Sequence, residues 1–294
     1  SMLLVSEQEA ANIYSKLGQC IECSGGSAAN TIAGLASMGS RTAYIGKIKD
    51  DQLGAVFAHD ITSLGTHFGT SAGQDGPSTA YCLVMVTPDA ERTMCTYLGA
   101  CINLTEDDID EPLVRSSNII YLEGYLWDPE PAKDAFKKAI KIAHDAGNKV
   151  ALSLSDPFCV GRHHEEFLSL IKDGVDILFA NEDEIKMLYG TDDVNEAALQ
   201  VQQDCDIAAI TCGERGCIVT HSGEIGHVQG RNVEKLVDTT GAGDLFAAGF
   251  LHALTNGRCI GECGALGNLV AGEVITHLGA RPDIDLKKFV EDNA

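Results

Sequence analysis

The chain has 294 residues, 45% of them apolar, and a formal charge of -22. That length suits one large α/β domain or two smaller ones, and the charge argues against a general affinity for nucleic acid or anionic membranes, which need clustered Lys and Arg. No apolar run approaches the ~18 to 20 residues of a membrane span, and Met2-Leu3-Leu4-Val5 is too short for a signal-peptide core, so a cytoplasmic protein is expected. The 11 cysteines are scattered and read as reduced thiols.

Met2 to Leu17 reads as a short strand followed by an amphipathic helix. Cys20-Ile21-Glu22-Cys23 is the one C-x-x-C, but a zinc or redox role would need a second ligand pair or a thioredoxin-like start, and neither is nearby. Gly25-Gly26-Ser27-Ala28-Ala29-Asn30 opens a segment in which Ala29, Ile32, Ala33 and Ala36 are helically spaced. Two glycines let backbone approach a ligand, and Asn30 offers a donor and an acceptor to hydroxyl groups. A tight turn leading into a helix packed through small residues fits the same pattern.

Between Thr66 and Leu98, two apolar stretches (residues 79–86 and 92–98) flank the turn Thr87-Pro88-Asp89-Ala90-Glu91. That is a hairpin with no helix between its strands, suited to a small lid over a main sheet. From about residue 115, short apolar runs alternate with helical periodicity, the pattern of β-α units in a parallel sheet. Ile119 to Leu122, Val150 to Leu154, Ile177 to Ala180, Ile207 to Thr211 and Cys217 to Thr220 are the expected strands. Between the first two lies a helix with Pro131 near its start and Gly147 past its end, whose Lys133, Lys137, Lys138 and Lys141 read as a solvated face. Asp156-Pro157 marks another strand end, with Arg162 on the same face.

Asn181-Glu182-Asp183-Glu184 follows a strand, where open α/β sheets bind ligands, and Asn181 and Glu184 can face one point. A carboxylate there can hold Mg²⁺ through water, although a helix start enriched in acids is, for the motif alone, the simpler account. Thr211-Cys212-Gly213-Glu214-Arg215-Gly216 offers hydroxyl and backbone groups to phosphates, or is a plain hairpin turn.

Asp238-Thr239-Thr240-Gly241-Ala242-Gly243-Asp244 is the most telling stretch. Val233 to Val237 ahead of it reads as strand and Leu245 to Leu251 behind it as buried helix. A Gly-X-Gly turn opening a helix presents free N–H groups to an anion, and Asp244 stands beside it in the first turn. A carboxylate next to an anion is unfavourable unless it accepts a proton from an attacking hydroxyl, which points to phosphoryl transfer to an alcohol. No G-x-x-x-x-G-K-[ST] occurs. A dinucleotide fingerprint over Gly241 to Ala247, and hence an oxidoreductase, is the rival, but it wants an acidic strand end about twenty residues on, where Leu251 to His277 reads mostly as helix. Within that region Cys259 and Cys263 lie four apart and read as core packing. The nine histidines form no H-E-x-x-H or other spaced metal set.

The order of these motifs resembles the ribokinase-like (PfkB) carbohydrate kinase family, from about Gly25 to the C-terminus. The resemblance implies a three-layer α/β/α sandwich with a mostly parallel sheet and a small β-sheet lid, in one domain over 1–294. It implies Asp244 as catalytic base and Gly241, Ala242 and Gly243 as the anion hole. Asn181 and Glu184 would organise Mg²⁺ and phosphates, Thr211, Gly213 and Gly216 would meet ATP, and Asn268 would lie near the adenine. Gly25, Gly26, Asn30 and Arg92 would hold the acceptor, a sugar or nucleoside. A monovalent cation is a further expected cofactor, and exposed lid strands allow a homodimer. Glu91-Arg92-Thr93 with Gly279-Ala280-Arg281-Pro282 is most similar to the bacterial branch labelled adenosine kinase or sugar kinase. Only 24 residues precede Gly25, so the family's first sheet strand and part of its lid are expected to be missing. In that case the family's remaining reading would be a nucleotide- or sugar-binding protein without turnover.

Overall fold

The computed structural model describes residues 2–87 and 92–293. In chain order the first half runs β1 (Met2–Leu4), α1 (Glu7–Tyr14), α2 (Ser27–Ser37), β2 (Ala43–Tyr44), α3 (Gln52–Ser63), β3 (His67–Phe68), β4 (Tyr81–Val86), β5 (Arg92–Tyr97), α4 (Glu111–Ser116) and β6 (Ile119–Glu123). Then come α5 (Glu130–Asp145), β7 (Lys149–Ser153), α6 (Pro157–Arg162), α7 (His164–Gly174), β8 (Ile177–Asn181), α8 (Glu182–Tyr189), α9 (Val194–Asp204) and β9 (Ile207–Thr211). The chain ends with β10 (Cys217–His221), β11 (Glu224–Val228), α10 (Ala242–Thr255), α11 (Ile260–Val274) and α12 (Leu286–Asn293).

The large sheet has the order β11-β10-β9-β8-β7-β6. Strands β6 to β9 are parallel, and β10 and β11 fold back antiparallel. Because successive side chains in a strand point to opposite faces, its apolar runs feed two cores. Leu152, Leu178, Ala208, Ile210 and Ile218 pack with α5, α7, α8 and α9 on one side. Ala151, Phe179, Ala209 and Val219 pack with α10 and α11 on the other. The result is three layers, helices on sheet on helices.

Strands β4 and β5 pair antiparallel as a hairpin, and β1 adds to β5 in parallel, giving a separate sheet β1-β5-β4. The N-terminal strand therefore joins the small sheet, and β6 is the edge of the large one. The expected hairpin turn at Thr87 to Glu91 falls mainly on residues 88–91, which lie outside the described residues.

Three expectations need correction. Val233 to Val237 is not a strand. The segment is irregular, with a bend at Glu234, and joins the C-terminal end of α11 by one bond, Val237 N–H to Ile275 O at 2.9 Å; its apolar residues suggested a strand that no neighbouring strand pairs with among the described residues. Lys133 is buried, with its ammonium on Glu130 and Glu166, each at 2.8 Å, beneath Trp127, whereas Lys137 and Lys141 are solvated as expected. Cys259 is the exposed N-cap of α11, while Cys263 packs in the core.

Candidate active site

Helix α2 runs close along α10, and a Cβ on Gly34 would meet Leu245 and Ala248 at 2.7 and 2.8 Å. That close approach brings the start of α2 to the start of α10. Asn30 Nδ2 donates to Asp244 Oδ2 at 2.9 Å, across 214 residues of sequence. Ser27 also favours the charged form of Asp244. The backbone N–H of Ala28 reaches Glu123 Oε2, at the end of β6, at 2.8 Å.

The turn before α10 is held from three directions. Asp238 accepts from Thr240 N–H and Oγ1 at 2.9 and 2.6 Å, and from Gly279 N–H at 3.1 Å. Those bonds keep its carboxyl below the usual range against the opposing effect of burial. Gly241 has φ 82, and a Cβ on it would meet Ala280 at 2.7 Å, so only glycine fits both backbone and space. From the small sheet, the Arg92 guanidinium donates to Thr239 Oγ1. Ala242 and Gly243 begin α10 and are not sealed off; a Cβ at Gly243 would meet nothing within 4 Å.

Along the C-terminal edge of the parallel strands lies a row of acids. Asn181 and Glu184 form a capping box on α8, in which Asn181 donates to both Glu184 oxygens at 2.9 and 2.7 Å and accepts from Glu184 N–H at 2.8 Å. Burial pushes Glu184 up to about 7, opposed by the Asn181 N–H and reinforced by Asp156, Asp183 and Asp244. Burial likewise pushes Glu123 up to about 7, with Asp244 adding to it. Asp244 itself is raised by burial and restrained by Asn30, Ser27 and Arg92. Burial is the main cause at all three acids, and neighbouring carboxylates add to it at Glu123 and Glu184. Glu184 with Asp156 nearby is a carboxylate set of the kind a water-bearing Mg²⁺ takes.

Asn181 and Thr211 are register partners at the ends of β8 and β9, so the two motifs are neighbours. Gly213 begins an open turn, whereas Gly216 abuts Val228 O and closes the β9-β10 hairpin. Asn268, on α11, donates to Val228 O and Gln229 O at 3.3 and 3.2 Å, tying the end of β11 to the helix. These residues form a second group, toward β9 to β11, distinct from the Asn30–Asp244 group. Gly25 has nothing near its Cβ position, and Gly26 is the N-cap of α2 with φ 94. Arg162 is drawn away from the row, pairing with Asp128 at 2.8 Å.

Two residues at the site carried no role in the sequence reading. Glu123 is a charged end to the apolar strand Ile119 to Leu122, a signal that the strand-end rule would have caught. Arg281 donates through Nε to Asn30 Oδ1 at 3.4 Å, and its buried Nη2 lacks a partner among the described residues. Gly69-Thr70-Ser71-Ala72-Gly73 has nucleophile-elbow spacing, but no helix follows it. The dinucleotide reading fails too, since no strand precedes Gly241 and α10 leads into α11.

A model of the pfkB family carbohydrate kinase matches residues 9–287. The chain belongs to this family. A solved adenosine kinase from Sinorhizobium meliloti is 48% identical, covers 100% of this chain and 90% of its own, and superposes with a TM-score of 0.98. A probable sugar kinase from Rhizobium etli CFN 42 is 45% identical over 99% of this chain and 88% of its own, with a TM-score of 0.97. Among curated relatives, probable fructokinase-4 of Arabidopsis thaliana is 28% identical over 92% of this chain and 87% of its own. As a PfkB sugar or nucleoside kinase, the protein is a phosphotransferase with an alcohol group as acceptor.

Proposed function

We propose that the protein transfers the γ-phosphoryl group of ATP to a hydroxymethyl group of a nucleoside or sugar, with Asp244 as the base. The observation that carries this reading is Asp244 in the first turn of α10, directly after the Gly241-Ala242-Gly243 turn and hydrogen-bonded to Asn30. In a loose phosphoryl-transfer transition state the protein's task is to position groups and to neutralise charge on the transferring oxygens. The N–H groups opening α10 donate to those oxygens without reorganising. Asn30 orients the Asp244 carboxylate, which accepts the acceptor's proton as the new P–O bond forms. Arg281, with its unpartnered Nη2 next to Asn30, and Arg92, from the lid, hold the acceptor's remaining hydroxyls.

Thr211 and Gly213 line the phosphates at the ends of β9 and its hairpin, and Asn268 supports the adenine end. Asn181 and Glu184, with Asp156, hold Mg²⁺, which when bound neutralises phosphate charge. The similarity at 48% identity to an adenosine kinase favours adenosine as first acceptor to try, with fructose and ribose next.

The test is an ATP-consumption screen over adenosine, other nucleosides, ribose, fructose and ketoacid sugars, with product phosphate ester identified. Asp244→Asn should lower kcat on the accepted substrate by about 10² to 10⁴. Turnover near wild type in that variant would remove Asp244 from the mechanism, and ATP binding without any phosphorylated product would leave a binding protein only.

A further inference from the structure

Behind the Asp238–Asp244 turn, three side chains converge that the kinase reading does not use. Glu273 lies in the last turn of α11, His277 one turn further on, and Asp283 at the far end of the following loop. One ligand atom from each falls within 4.8 Å of the others. His277 Nε2 stands 3.3 Å from Glu273 Oε1 and 3.6 Å from Asp283 Oδ1.

The His277 tautomer follows from its other nitrogen. Nδ1 lies 3.2 Å from Leu278 O, and a carbonyl can only accept, so Nδ1 carries the hydrogen of that contact. In the neutral ring Nε2 then presents a lone pair toward two carboxylates. Glu273 is only 8% exposed, and both its Oε2 and His277 Nε2 are buried with no hydrogen-bond partner among the described residues. With the ring neutral, three acceptor atoms lie within reach of one cation.

We propose that Glu273, His277 and Asp283 form a binding site for a small transition dication of the Zn²⁺ class. Bonds of about 2.0 to 2.1 Å place tetrahedral ligand atoms about 3.3 to 3.4 Å apart, close to the two spacings seen. An imidazole favours Zn²⁺ and its neighbours over Mg²⁺ or Ca²⁺. Metal-ligating histidines characteristically donate their second ring N–H to a carbonyl, as Nδ1 does here. The Asp283 side chain is 66% exposed, so water can reach the cluster and complete the coordination. The histidines show no such set in sequence because Asp283 arrives only through the fold of the loop.

The site would clasp both ends of residues 276–283. That loop supplies Gly279 N–H to Asp238, Ala280 against Gly241 and Arg281 to Asn30. A bound dication therefore fixes the wall of the anion turn.

The test is titration of the full chain with CoCl₂ in excess Mg²⁺, followed by visible absorption and by limited proteolysis. One equivalent should give intense tetrahedral ligand-field bands without a thiolate charge-transfer band, and ZnCl₂ should displace it. His277→Ala should weaken cobalt binding at least tenfold. Asp283→Asn, at an exposed side chain that the fold does not need, should weaken it severalfold. Metal should slow cleavage within 276–283 in the wild type and not in His277→Ala. Unchanged affinity in both variants, absence of saturable binding, or a thiolate band alone overturns the site and leaves His277 as a protonated bridge between two carboxylates. None of these outcomes depends on which acceptor the kinase uses.

Discussion

Glu184 caps α8 with both oxygens and yet titrates near 7, because burial and the acids around it oppose its charge. Its folded pKa lies above the ordinary 4.5, so its contribution to stability is full below about pH 4.5 and is lost as pH rises through about 7. The loss amounts to at most about 3 kcal/mol. Glu184→Gln keeps an acceptor for Asn181 and carries no charge. Its urea midpoint without Mg²⁺ should fall less than that of wild type between about pH 5 and pH 8; parallel curves would show that Glu184 is already neutralised. The sequence offered two readings of Asn181 and Glu184, an acid-rich helix start and a ligand set. The capping box meets the first, and the raised carboxyl keeps the second open to test. Glu123 carried a strand-end signal, but its closeness to Asp244 and that of Arg281 to Asn30 could not be read from the sequence, since these neighbours come from distant parts of the chain.

At the scale of elements, the turn into α10 separates two kinds of glycine. Gly241→Ala would strain φ 82 and collide with Ala280, so it should cost about 1 to 3 kcal/mol and lower kcat together. Gly243→Ala meets only open space in the folded protein, so its Tm should hold, and in the proposed mechanism kcat/KM should fall at least tenfold, because there the transferring phosphoryl group occupies that space. Equal activity in Gly243→Ala and wild type would move the anion elsewhere. The sheet β1-β5-β4 touches the same turn through Arg92, which suits a lid that excludes water. Phosphate release from ATP without acceptor should therefore run far below the rate with acceptor, and rapid idle hydrolysis would count against closure. The parallel strands were legible because each is a continuous apolar run buried on both faces. β11 was not, since Glu-Ile-Gly-His-Val alternates weakly at a sheet edge, and Val233, Leu236 and Val237 suggested a strand that finds no partner among the described residues.

For the molecule as a whole, the lid leaves Leu3, Leu4 and Val84 exposed at 58, 50 and 40%, and its outer strands have open edges. We expect copies to pair through this sheet, burying that apolar surface. Sedimentation should show a dimer that Val84→Asp converts to a monomer of unchanged Tm; a wild-type monomer at all concentrations would end the idea. Architecture followed from local pattern, while the joining of Asn30 to Asp244 is a property of the complete fold. Those two residues are 214 positions apart. At a synthesis rate of about 5 to 20 residues per second, α2 leaves the ribosome roughly 10 to 40 seconds before α10. Throughout that interval Ala29, Ala33 and Leu35, buried in the finished protein, have no partner helix. The Asn30–Asp244 contact is thus among the last a nascent chain can make, and the apolar face of α2 waits for its partner until α10 arrives.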